Sequence, residues 1–185
     1  EEILAELREM GDPAVVEQKA KKFGIVSKNT LGIYHRDLKE LAKLLQKDQD
    51  VAVALFDTEV YEARLLCSKI FPVKALTEEL MEKWVVTFDN WEICDSFCMG
   101  IFAKSHLAVP KIKAWIDREP EFERRASFAT MAAYCMADKQ ADNEVFLSFL
   151  PLIKKASTDD RLYVKKAVNW ALRSIGKRNV DLQQA

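Results

Sequence analysis

Five glycines, five prolines and two histidines are all that 185 residues hold of the types that break helices or most often bind metals. So little glycine and proline excludes collagen-like and low-complexity chains. With 49% apolar and 31% charged residues, the composition points to one ordered, helix-rich domain spanning 1–185. No apolar run reaches the roughly 18–20 residues of a membrane-spanning helix, so no membrane partner is expected. The chain opens on an amphipathic pattern from Glu2 to Met10 rather than on a signal-like segment, and a cytoplasmic, monomeric protein is expected. Cys67, Cys94, Cys98 and Cys135 fall inside apolar helical patterns and read as buried free thiols. No Cys-x-x-Cys or histidine pair completes a tetrahedral set, so neither metal nor organic cofactor is expected. Glycine-rich phosphate loops, nucleophile elbows, metalloprotease histidines and dinucleotide fingerprints are also missing. Any chemistry has to run on a carboxylate with aromatic and basic support.

What is present is helical periodicity, with almost no strand alternation. The pattern predicts helices at 2–10, 12–23, 35–47, 49–57, 59–71, 77–87, 90–103, 107–118, 120–138, 142–156 and 160–176. Start signals stand at Asp12-Pro13, at Thr77, at Asp89-x-x-Glu92 and at Ser157/Thr158. Helix pairs recur every 30–45 residues, at 35–57, 59–87, 90–118 and 120–156. That period fits an all-α solenoid, a superhelical stack of antiparallel helix pairs of the HEAT type, whose concave side suits an extended ligand. The segment 24–33, with two of the five glycines, either bridges two helices or wraps a ligand.

A net charge of −1 hides an uneven distribution. Residues 1–62 are rich in acids, whereas 161–178 carry Arg161, Lys165, Lys166, Arg173, Lys177 and Arg178. A local basic patch of this kind is what nucleic-acid binding requires, although a solvated helix face has the same composition. Asp95 sits one helical turn after Trp91, placing a carboxylate beside an indole. Trp170 shares its face with Tyr163, Lys166 and Arg173, a mixed rather than apolar surface. Aromatic faces attract cations by about 0.5–2 kcal/mol. Arg125 precedes a run of small residues, Ala126, Ala129, Ala132 and Ala133; its guanidinium suits either a phosphate fork or a pair with Asp95. Arg64 is a second arginine of this kind.

These residues carry a resemblance. Leu31-Gly32-Ile33, Glu62-Ala63-Arg64, Trp84, the run Asn90-Trp91-Glu92-Ile93-Cys94-Asp95, Arg124-Arg125-Ala126 and the run from Tyr163 to Arg173 occur in the order found in the AlkD-like DNA alkylation-repair glycosylases. The chain resembles that family from about Gly11 to Asn179. The resemblance implies a HEAT-like solenoid acting on double-stranded DNA that carries N3- or N7-alkylated purines, without metal or organic cofactor. It makes Asp95 the catalytic carboxylate and Trp91 and Trp170 the indoles lining the lesion cleft, with Tyr163 beside them. Arg125, Lys166, Arg173 and Arg64 are expected on the DNA backbone.

Physical chemistry fits this assignment. A cationic alkylpurine is already a good leaving group, and a nearby carboxylate stabilises the oxocarbenium-like sugar left behind. The short 24–33 segment and the few residues after Asn179, where the family has further helices, predict a weaker grip on the duplex. Two other functions share the pattern. A non-catalytic HEAT-like protein recognising damaged or branched DNA keeps its affinity without the Asp95 carboxylate. A protein-interaction scaffold lacks the steep salt dependence of phosphate contacts.

Overall fold

All of residues 1–185 are described in the computed structural model, and its regular elements are helices alone. They group into two compact units, residues 1–76 and 77–185.

In the first unit, α1 (Glu2–Met10), α2 (Pro13–Phe23), α3 (His35–Leu44), α4 (Gln49–Asp57) and α5 (Tyr61–Ile70) precede a single 3-10 turn at Val73–Ala75. The start signal predicted at Asp12-Pro13 works as a cap, and Asp48 supplies a further cap that is not among the predicted ones. Asp12 accepts the Ala14 N–H at 2.8 Å with Pro13 in the first turn, and Asp48 accepts the Val51 N–H at 2.9 Å. Helix α5 is central, packed by α1, α3 and α4, and buries Tyr61, Ala63, Leu65, Leu66 and Ile70.

The segment 24–33 bridges α2 and α3 and is pinned from below. Glu62, 0% exposed on α5, accepts the N–H groups of Leu31 at 2.8 Å, Gly32 at 2.9 Å and Ile33 at 3.3 Å, and the Thr30 hydroxyl at 3.0 Å. Four donors leave this buried carboxylate satisfied. Gly32 takes φ +83°, and a Cβ there would fall 2.1 Å from the Asp12 carbonyl oxygen, so the position accepts only glycine. The two motifs Leu31-Gly32-Ile33 and Glu62-Ala63-Arg64 are thus two sides of one contact.

The second unit holds α6 (Glu78–Val85), α7 (Trp91–Gly100), a 3-10 turn at Phe102–Lys104, α8 (Ala108–Trp115), α9 (Glu121–Ala137), α10 (Asn143–Leu147), α11 (Leu150–Ala156), α12 (Leu162–Gly176) and α13 (Val180–Gln184). Its organiser is α9, which packs against α7, α8 and α12. The small residues Ala126, Ala129 and Ala132 are fully buried on α9, and their size lets neighbouring backbones approach. The Cys94 and Cys98 thiols sit 3.6 Å from the carbonyl oxygens of Phe122 and Ala126, so both cysteines belong to the α7–α9 seam. Behind the seam an aromatic relay runs from Trp84 to Phe97 (ring centroids 5.2 Å), Phe102 (5.9 Å) and Trp115 (5.6 Å).

Four local expectations are corrected. The predicted helix 142–156 is two helices broken at Ser148–Phe149, because Pro151 has no N–H to continue the ladder and instead occupies the first turn of α11. The cap of α7 is Asn90, which accepts from Glu92 and Ile93, rather than Asp89. Helix α12 has no side-chain cap of its own; the N–H of Tyr163 is taken at 3.0 Å by Glu121 of α9. The helix pairs also run one helix out of step with the predicted grouping, because the close hairpins are α4–α5, α8–α9 and α11–α12. In two of these, an arginine in the first turn or so of the second helix closes the hairpin. Arg64 Nε donates to the Phe56 carbonyl at 3.2 Å, and Arg124 Nε to the Ile116 carbonyl at 2.8 Å, each eight residues back.

Candidate functional site

Three neighbouring helices of the second unit, α7, α9 and α12, carry all but one of the residues singled out from the sequence. Asn90 fixes the start of α7, with Trp91 as its first residue and Asp95 one turn on; both side chains are half-buried. On α9, Arg125 closes a fork onto Asp95, with Nε to Oδ1 at 3.0 Å and Nη2 to Oδ2 at 2.8 Å. Its remaining nitrogen, Nη1, donates to the Tyr163 carbonyl of α12 at 2.6 Å. Two residues of α9, Glu121 and Arg125, therefore hold both backbone groups of Tyr163, and one of them also holds the carboxylate of α7.

The Arg125 side chain is 7% exposed and each of its three nitrogens is engaged, whereas the Asp95 side chain keeps 19% of its surface. Of the two pairings the sequence allowed Arg125, the structure forms the one with Asp95. Burial raises the Asp95 carboxyl above its ordinary value, and the bond to Arg125 pulls it part of the way back. Burial also works against the charge of Arg125, and the Asp95 carboxylate overcomes it, so the guanidinium is held more firmly cationic than a free one. The arrangement amounts to a carboxylate fixed in direction by a planar bidentate partner and open on one edge.

Along α12, Tyr163 packs its ring on Phe122 (5.4 Å), and Lys166 Nζ lies 5.9 Å from the Tyr163 ring centre. One turn further, Trp170 rests partly on the core while lining an open cleft of about 510 Å³ together with Lys166, Arg173, Lys177 and Met136 of α9. Lys166, Arg173 and Lys177 form no ion pair. Sequence reasoning found three of these five residues. Lys177 stood in the basic stretch without a role, and Met136 gave no signal, since an apolar residue near a helix end reads as core.

The basic stretch is smaller than it reads. Arg161 bonds Asp159 at 2.6 Å through Nη2 and donates to the Glu119 carbonyl. Arg178 donates to the carbonyls of Cys135 and Asp138 and stacks 4.0 Å over the Phe146 ring, closing the end of α9. These two arginines hold the fold. Arg64 stands apart in the first unit, inside the α4–α5 hairpin, 4.7 Å over the Phe56 ring and 3.7 Å from Glu59.

Comparison with known proteins gives the arrangement a context. No curated protein matches the sequence. The fold matches a solved structure with a TM-score of 0.81 at 19% identity, over 98% of this chain and 77% of that one. That structure is described as "a new family of proteins related to the HEAT-like repeat DNA glycosylases with affinity for branched DNA structures", and the likeness shows that this chain has the HEAT-like all-helical fold. A family model described as DNA alkylation repair enzyme matches residues 3–185, so the chain belongs to the DNA alkylation repair enzyme family.

Proposed function

We propose that this chain is a DNA glycosylase that releases cationic N3- or N7-alkylated purines from duplex DNA. The observation that carries the reading is the Asp95–Arg125 fork, which holds a partly exposed carboxylate one turn from Trp91. The C1′–N bond breaks with its electron pair moving onto the purine, which neutralises the purine's positive charge. The sugar is left cationic, and Asp95 stabilises it electrostatically and orients the water that adds at C1′. The proton of that water leaves to the carboxylate or to solvent. Trp91 and Trp170 favour cationic over neutral purines, because a charged ring gains more from an aromatic face. Lys166 and Arg173 take backbone phosphates. Arg125 acts through Asp95 and is a positioning residue.

The test is release of free methylated purine from alkylated duplex DNA, with Asp95→Asn beside the wild type. Release by the wild type and a loss of about 100-fold or more in the variant, with DNA binding retained, are expected. Undiminished release by Asp95→Asn removes the carboxylate from its role.

A second reading has its own support. Both Asp95 oxygens are occupied by Arg125, as in a structural ion pair, and the similar fold is described as having affinity for branched DNA. On that reading the protein binds damaged or branched DNA without cleaving it. Tight binding of a four-way junction by wild type and Asp95→Asn alike, with no base released by either, would select it.

A further inference from the structure

We infer that the cleft on α12 is a stacking site for an unpaired nucleobase, with Met136 and Trp170 as its apolar surfaces. The inference rests on the reading of α12 as a DNA-contacting face and adds to it a ligand that a perfect duplex does not present. Met136, the penultimate residue of α9, is 56% exposed, and it lines the cleft together with Trp170 and three cations.

The cations account for phosphates. Lys166, Arg173 and Lys177 are exposed and without ion pairs, and no acidic residue lines the cleft. They run along one side of α12 over a rise of about 16 Å, room for several phosphates of one strand. A protruding methionine adds nothing to phosphate binding. Its flexible, polarisable side chain instead suits an aromatic face, and an indole beside it offers a second such surface. Bases in a continuous duplex keep their faces in the stack. A base at a bulge, flap or junction exposes them, and base–aromatic stacking in a basic groove is how single-stranded nucleic acid is held without sequence preference. Asn169, in the same lining, supplies an amide for a base edge.

The experiment titrates the full chain into a duplex with a single bulged 2-aminopurine and into the same strand fully paired, at one salt concentration. Preference for the bulge by about tenfold is expected, together with a change in 2-aminopurine fluorescence. Met136→Ala brings the bulge-to-duplex ratio close to one, and Met136→Leu restores it. Lys177→Ala weakens both ligands and lowers the slope of log K against log salt by about one. Equal affinity of the wild type for the two DNAs, or a ratio untouched by Met136→Ala, overturns the site and leaves a surface for duplex backbone alone. Release of methylated purine is scored separately on duplex. Bulge preference without base release keeps the cleft and loses the glycosylase, and base release without bulge preference does the reverse.

Discussion

Two hydrogen-bonded acids, the buried Glu62 of the first unit and the half-buried Asp95 of the second, show how similar side chains serve different ends. Glu62 is enclosed and accepts three backbone N–H groups and a hydroxyl, so each of its oxygens is bound in the folding of one loop. Asp95 meets a single guanidinium and keeps an edge open. A carboxylate saturated by backbone donors is bound into the local fold, because each donor belongs to the chain's own course. One that a single fixed guanidinium holds from one side is aimed, and its free edge remains available to a ligand.

The comparison is sharpest in stability. Glu62→Ala strands three N–H groups, those of Gly32 and Ile33 buried, and is expected to destabilise the protein by about 3–5 kcal/mol, measured by denaturant unfolding. Asp95→Ala leaves Arg125 with its Tyr163 bond and some access to solvent, and about 2–3 kcal/mol is expected. If the two losses are equal, Asp95 is as structural as Glu62 and the difference in roles fails.

A smaller effect concerns acid. The carboxyl of Asp95 is raised, so its ionised form is lost on acidification sooner than that of an ordinary aspartate. The acid limb of base release is therefore expected above the usual aspartate value of about 4. Arg125 lowers that carboxyl, so Arg125→Ala moves the limb to higher pH and Arg125→Lys moves it less. An unmoved limb in a folded Arg125→Ala protein would detach the arginine from the carboxylate's chemistry. The smallest effect belongs to the hairpin arginines. Arg64→Ala and Arg124→Ala each remove a side-chain bond to a carbonyl; about 1–2 kcal/mol is expected for Arg64, and more for Arg124, which also holds Asp159.

Most helices and boundaries were legible because the apolar spacing of each helix is local, and Asp12 and Thr77 announce their caps within three residues; the short α13, too brief for a period to show, was not. Pro151 announces the broken helix at Ser148 too, but the apolar period continues across the break and masks it. The phase of the pairing was hidden, because the bonds that set it run from Arg64 and Arg124 to carbonyls that any residue provides. The candidate site was legible as residue types and not as bonds. Trp91–Asp95 is a helical spacing, whereas Asp95–Arg125 and Arg125–Tyr163 join residues 30 and 38 positions apart. Neighbouring arginines make the point: Arg124 and Arg125 read alike, yet one ties its own hairpin to Asp159 ahead of α12, while the other joins the Asp95 carboxylate of α7 to the Tyr163 carbonyl of α12.

The cysteine seam carries a consequence for a member of an alkylation-repair family. Reagents that methylate purines also methylate thiolates, the form in which cysteine is nucleophilic. All four thiols here are buried. Burial raises those of Cys67 and Cys94 far above the ordinary range, and that of Cys135 to about 11. As long as the chain stays folded, its four thiols are sheltered from electrophiles of this kind, whereas the thioethers of Met99 and Met136 stand in solvent.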